Sequence, residues 1–141
     1  MVSIQKDFII DADPAAVWDA LRDFGALHTR LVPGFVTDTR LDGDARIVTF
    51  ANGTVARETL VDSDEERKRL VYAINSDRVK HYSASAQVFA DGDARTRFVW
   101  IVDVLPNDIA PYISSQMDQG VLAMQKKLAR SAMTAATKAP A

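Results

Sequence analysis

The sequence predicts an α+β domain in which a seven-stranded antiparallel sheet wraps around one long C-terminal helix, with two short helices after the first strand. Three observations carry that expectation. Between residues 35 and 105, strand-like segments follow one another, separated by sequences with turn chemistry. Connections that short join antiparallel neighbours. After Pro106-Asn107-Asp108, the apolar residues Ile109, Ile113, Met117, Val121, Met124 and Leu128 recur every three or four positions, which keeps them on one helical face. That helix, from Asp108 to about Ala132, would be about 37 Å long. It must lie along something, and only the preceding strands offer a surface. A curved sheet gripping one helix leaves a cavity between the two.

The elements follow in order. Val2 to Asp11 alternates loosely and reads as a strand with Ile4, Phe8 and Ile10 on one face. Asp13 is a natural N-cap and Pro14 suits the first helical position, so a helix starts there, with Val17, Trp18 and Leu21 as its apolar stripe. Arg22-Asp23-Phe24-Gly25 breaks it, Ala26 to Leu31 reads as a second short helix, and Val32-Pro33-Gly34 ends all helix. The expected strands are then Phe35–Leu41, Arg46–Phe50, Thr54–Asp62, Arg69–Ile74, Lys80–Ala90 and Ala94–Leu105. Asp42-Gly43-Asp44, Asn52-Gly53, Asn75-Ser76-Asp77 and Asp91-Gly92-Asp93 supply turns, and the acidic residues 62–66 read as a solvated hairpin loop. One domain is expected over residues 1–133, with a disordered tail at 134–141.

Composition narrows the function. With 141 residues the chain can bury a core without staples. A net charge of −2, with 17 basic residues scattered along the sequence, gives no footprint for a nucleic acid. The absence of cysteine removes disulfides, thiolate catalysis and cysteine-ligated zinc. No apolar run reaches the length of a membrane span, and the N-terminus lacks the basic and apolar regions of a signal peptide, so a cytoplasmic location is expected. His28 and His81 are the only histidines and belong to no ligand-spaced motif, so neither a metal nor a cofactor is expected.

The opening Phe8-Ile9-Ile10-Asp11-Ala12-Asp13-Pro14-Ala15-Ala16-Val17-Trp18-Asp19-Ala20-Leu21-Arg22-Asp23-Phe24 carries a resemblance, joined by Arg57-Glu58-Thr59-Leu60, Leu70-Val71-Tyr72 and Thr96-Arg97-Phe98-Val99-Trp100. In these segments the chain resembles the START/Bet v 1-like superfamily, the helix-grip fold, in the branch of polyketide cyclase-like and abscisic-acid-receptor-like proteins. The resemblance covers residues 2 to 132. It implies a cavity for a small hydrophobic molecule, and it places Glu58 and Tyr82 where the hormone receptors point a glutamate and a tyrosine inward. Residues 50–55 and 75–79 stand where those receptors carry gate and latch loops, and reproduce neither, which argues against hormone sensing with a phosphatase partner.

Alternation alone sets Ala56, Glu58 and Leu60 opposite Val55, Arg57, Thr59 and Val61, and does not choose the inner face. Glu58 is either a polar anchor in the cavity or a rim residue paired with Arg57 or Arg78. Tyr82, Ala84, Ala86 and Val88 share a face whose small residues leave room; Tyr82 either bonds a ligand or simply packs. Phe98, Trp100, Val102 and Val104 line the last strand, and Trp18 and Trp100 read as core. Arg30 is a candidate for an acidic ligand group at the entrance, or a plain surface residue. The expected lining is Phe8, Ile10, Leu31, Phe35, Phe50, Ala56, Tyr72, Tyr82, Ala84, Trp100, Ile113, Met117, Val121 and Met124, with Glu58, Tyr82 and Arg30 as polar groups. Gly120 is costly inside a helix by about 1 kcal/mol, which points to a kink or close approach, and its replacement by alanine is expected to raise stability. The function expected is binding of a polyketide, steroid, lipid or aromatic metabolite by a monomer or homodimer. The alternative is an aromatase/cyclase-type enzyme in which the same cavity orients a reactive chain while Glu58, Tyr82 or Arg30 assists proton transfer.

Overall fold

The computed structural model describes residues 1–129. Its elements are β1 (Val2–Ile10), α1 (Pro14–Arg22), a 3-10 turn (Phe24–Ala26), a π turn (Leu27–Leu31), β2 (Val36–Asp42), β3 (Ala45–Phe50), β4 (Val55–Asp64), β5 (Arg69–Ile74), β6 (His81–Ala90), β7 (Thr96–Leu105), a second 3-10 turn (Asn107–Ile109) and α2 (Ala110–Leu128). The strands form one seven-stranded sheet in the order β1-β7-β6-β5-β4-β3-β2. Every pairing is antiparallel. This is the expected α+β helix-grip architecture.

The order explains the two short helices. β2 to β7 pair as successive hairpins, and β1 adds to β7, so β1 and β2 are the two edges of the sheet. The chain must cross from one edge to the other between them. It does so through α1, which rests on β6 and β7, and the π turn, which rests on β2. The expected second helix is thus a 3-10 turn followed by a π turn, closed by a bond from Val32 N–H to the Leu27 carbonyl at 2.9 Å. That wider turn buries both Leu27 and Leu31.

Period-two alternation holds along β7, where Thr96, Phe98, Trp100, Val102 and Val104 are all buried. Phe98 is wholly enclosed and stacks on Phe8 with ring centroids 5.1 Å apart. Burial of such a side chain contributes about 1.5–3 kcal/mol. On β1 the inward set includes Lys6, whose ammonium donates to Ser114 Oγ at 2.9 Å and pairs with Asp118 at 2.8 Å. Gln125 Nε2 donates to the Ile9 carbonyl at 3.0 Å. Both ties run from α2 to the edge strand β1.

The long helix is 19 residues, about 28 Å at the usual rise. Ala110, Met117, Gly120, Met124 and Leu128 are buried, while Ile113 and Val121 pack partly buried against the core. It stops short of the expected Ala132, because Ala129 already has extended ψ at 129°. The last expected helical residues, the domain limit at 133 and the tail at 134–141 lie outside the described residues. The acidic stretch also differs from expectation. β4 runs on to Asp64 past a register shift between Leu60 and Asp62. Glu65 is an anchor for α1, accepting from Trp18 Nε1 at 2.8 Å and from Arg22 at 3.2 Å.

Candidate functional site

A cavity of about 990 Å³ opens between the inner face of the sheet and α2. Its deep wall comes from the inward positions of β3 to β7: Arg46 and Phe50, Ala56 and Glu58, Tyr72 and Ile74, Tyr82 and Ala86, Phe98 and Trp100. Across from them stand Ile113, Met117 and Met124 of α2, with Leu27, Leu31 and Phe35 from the crossing segment. The mouth lies between the β3–β4 loop (Asn52, Gly53, Thr54), the β5–β6 loop (Ser76, Asp77, Arg78) and the first turn of α2. Asn52 Nδ2 donates to Tyr112 Oη at 3.1 Å, which ties the β3–β4 loop to α2. Gly53 makes that loop tight by adopting φ +90°, a conformation that costs glycine little.

Small residues set the packing around this space. Ala86 faces Trp100 across β6–β7, and Ala84 faces Tyr72 across β5–β6, so alanine stands in register beside each large ring. Gly120 brings α2 close to the sheet: a Cβ built there would meet the Trp100 ring at 3.0 Å and Phe35 at 3.4 Å.

The polar part of the wall centres on Arg46 and Glu58. They are direct cross-strand partners in the β3–β4 ladder, and both are buried, with 3% and 4% exposure. Arg46 Nε lies 2.8 Å and Nη2 2.7 Å from the same carboxylate oxygen, Oε1. Nη1 donates to the Phe24 carbonyl at 3.3 Å. The guanidinium lies over the Phe24 ring at 4.0 Å and the Tyr72 ring at 5.2 Å. Such stacking stabilises a desolvated cation. Glu58 Oε2 receives no hydrogen bond from the described residues.

Two tyrosines complete the cluster. Trp100 Nε1 donates to Tyr72 Oη at 3.2 Å. The Tyr82 hydroxyl has no hydrogen-bond partner among the described residues, and it is not one of the sealed unpartnered atoms, which are His28 Nδ1 and Thr39 Oγ1. Burial pushes the Tyr72 hydroxyl above the ordinary tyrosine value of 10.0, and the Glu58 carboxylate acts in the same direction. Burial likewise holds the Tyr82 hydroxyl well above 10.0, followed by the influence of Tyr72 and Glu58. Both groups are therefore neutral O–H donors near neutral pH.

The structure gathers Glu58, Tyr82, Phe35, Phe50, Ala56, Tyr72, Trp100, Ile113, Met117, Leu31 and Met124 around this one cavity. It leaves other expected residues elsewhere. Arg30 is outside, its guanidinium held by Asp19 and Asp23 on α1 and the turn after it. Ala84 is closed off at 2% exposure, Ile10 is wholly in the core, and Phe8 is packed on Phe98. Val121 packs against the core beside the cavity rather than lining it. The partner of Glu58 is Arg46, not Arg57 or Arg78; Arg57 leans instead toward Asp42 at 3.5 Å.

Arg46 is the charged residue of the wall that the sequence analysis does not single out, although a signal for it exists. The hairpin closes with Phe50 N–H bonded to the Thr54 carbonyl at 2.8 Å. Counting back from those two residues sets Val48 opposite Ala56 and Arg46 opposite Glu58. The turn at Asn52-Gly53 therefore fixes the pairing of a cation with the one carboxylate of that face. Among the described residues no three His, Asp or Glu side chains converge to hold a metal, and no helix is long and apolar enough to cross a membrane.

Over residues 1–137 the sequence matches the family described as polyketide cyclase / dehydrase and lipid transport. No curated protein matches it. Among solved structures, a protein of Thermobifida fusca superposes with a TM-score of 0.74 at 26% identity, covering 95% of each chain. A START superfamily protein from Mycobacterium smegmatis has a TM-score of 0.72 at 12% identity, covering 89% of this chain and 96% of its own. Norcoclaurine synthase from Thalictrum flavum, in complex with dopamine and hydroxybenzaldehyde, has a TM-score of 0.66 at 18% identity and covers 89% of this chain and 84% of its own. The chain belongs to the polyketide cyclase/dehydrase and lipid transport family, and it shares its fold with the START superfamily protein.

Proposed function

We propose that this protein binds a small, largely apolar molecule in the cavity between the sheet and α2. The observation that carries this reading is the cavity itself, about 990 Å³ and lined by aromatic and aliphatic side chains around a few convergent polar groups. Pockets for small molecules have that character and occupy about 300–1,000 Å³. Phe35, Phe50, Ala56, Ile113 and Met117 would hold the apolar body, with Tyr72 and Trp100 as rigid walls and Glu58 and Tyr82 as polar fixtures. A polyketide, steroid, lipid or aromatic metabolite fits this description. The family description supports it, and so does the fold relative that holds dopamine and hydroxybenzaldehyde.

One feature favours a second reading, a cyclase-type enzyme: Glu58 and the unpartnered Tyr82 hydroxyl, a proton acceptor and a proton donor, line the same space. Native mass spectrometry of the purified protein, followed by denaturing extraction, tests the first reading. A bound apolar molecule of defined mass is the expected result. An empty protein whose melting temperature no apolar metabolite raises would overturn it. Conversion of the extracted molecule on incubation, lost in Glu58→Gln with binding retained, would select the enzyme.

A further inference from the structure

We infer that the cavity selects uncharged ligands carrying a hydroxyl or N–H donor, because the Arg46–Glu58 pair leaves its interior electrically neutral with one open acceptor oxygen. This rests on the ligand-binding reading above and narrows it to a ligand class.

Among the described residues, Arg46 and Glu58 are the only charged side chains buried in the fold. An unpaired arginine in such a wall would be a ready anchor for a ligand carboxylate, through its planar fork. Here the fork is occupied. Nε and Nη2 both contact Glu58 Oε1, Nη1 is spent on the Phe24 carbonyl, and the rings of Phe24 and Tyr72 lie against the guanidinium. An anionic ligand entering to this depth would meet the Glu58 carboxylate with no cation free to offset it, and an uncompensated buried charge is expensive. A cationic ligand would meet Arg46 across the same carboxylate. What the wall offers without penalty is one acceptor, Glu58 Oε2, and two neutral donors, the Tyr72 and Tyr82 hydroxyls. A ligand hydroxyl satisfies both kinds of group, since it donates one hydrogen bond and accepts others. Arg78 stands exposed at the mouth, where solvent screens it, and Arg57 faces the outer side of the sheet toward Asp42, so neither adds much attraction for an anion.

The test uses four fluorescent probes that differ only in one substituent: pyrene, hydroxypyrene, pyrenecarboxylate and pyrenemethylammonium, each titrated near neutral pH into the full-length protein. Hydroxypyrene should bind more tightly than pyrene, and at least about tenfold more tightly than either charged probe. In the paired variant Arg46→Met/Glu58→Leu, which removes both charges together and so leaves none unpaired, pyrene should still bind and the preference for hydroxypyrene should vanish. Pyrene binding with either charged probe equal to hydroxypyrene overturns this inference alone. So does pyrenecarboxylate binding that is lost in Arg78→Gln, which would put the polar end at the mouth. Failure of all four probes to bind overturns the ligand-binding reading and this inference with it.

Discussion

Gly120 of α2 lies directly against the indole of Trp100, close enough that a Cβ at residue 120 would sit 3.0 Å from Cζ3 and 3.1 Å from Cη2. The glycine is therefore a contact residue that lets the helix seat on the sheet, the close approach its cost in a helix implied. Its replacement by alanine has the opposite sign from the one helix propensity alone predicts. Alanine gains about 1 kcal/mol in helix propensity. Overpacking against a buried ring that is hydrogen-bonded to Tyr72 costs about 1–3 kcal/mol. Gly120→Ala should lower the melting temperature and shift the tryptophan emission as the indole is displaced. A raised melting temperature would mean that the ring yields freely into the cavity.

The Arg46–Glu58 pair predicts a non-additive response to mutation. Arg46→Met leaves Glu58 buried without its partner and should cost about 3–5 kcal/mol in urea unfolding. Glu58→Leu should cost a similar amount for the complementary reason. The two together remove both charges at once, so the double variant should be far more stable than the sum of the single losses implies. Additive losses would show that the two side chains act independently.

The fold was legible because its signals are local. Two periods, two in the strands and near three and a half in the last helix, are written directly into residues 35–128 and need no tertiary information. Element ends moved by one or two residues in most strands, and β4 ran on through a register shift that alternation cannot show. The site was legible in part. Aromatic and methionine residues on inward faces reach the cavity because the face, once assigned, decides it. Arg30 lies away from the cavity because two carboxylates on nearby segments, Asp19 and Asp23, hold it at the surface. Ala84 and Val121 do not line the cavity because a residue can be on the inner face and still be covered by neighbours. Alternation alone does not choose a face for Glu58 because the strand carries apolar residues on both, and only the cross-strand position of Arg46 resolves it.

Arg30 supplies a control. Its guanidinium bridges Asp19 and Asp23, with its side chain 40% exposed. Such surface pairs contribute about 0–1 kcal/mol. Arg30→Gln should leave the affinity for any cavity ligand unchanged and move the melting temperature slightly. A loss of affinity in titration calorimetry would place Arg30 on the ligand's route after all.

The Asn52–Tyr112 bond ties the β3–β4 loop to α2 at the mouth of the cavity. An exposed neutral hydrogen bond contributes about 0.5–1.5 kcal/mol at most. Tyr112→Phe removes it while keeping the ring. Stopped-flow measurements should show probe entry and exit both accelerated, with the equilibrium affinity nearly unchanged. Unchanged rates would mean that ligands enter elsewhere.

The two buried tyrosines predict how stability depends on alkaline pH. Burial raises both hydroxyls above 10.0, so the folded chain holds these two protons to higher pH than the unfolded chain does. Below about pH 10 both states are protonated and the groups contribute no slope. Above it the unfolded form releases protons that the folded form retains, and stability falls as pH rises toward the folded-state values. Of the three tyrosines in the chain, two should therefore form phenolate only as structure is lost. The variants separate the pair. Tyr82→Phe removes a hydroxyl with no protein partner, so it should leave stability at neutral pH nearly unchanged and flatten the alkaline decline. Tyr72→Phe also flattens the decline but strips the Trp100 N–H of its acceptor. An unpaired buried donor costs about 1–3 kcal/mol, and that loss should be present at every pH. Phenolate absorbance from all three tyrosines rising before the circular dichroism changes would show that neither hydroxyl is shielded by the fold.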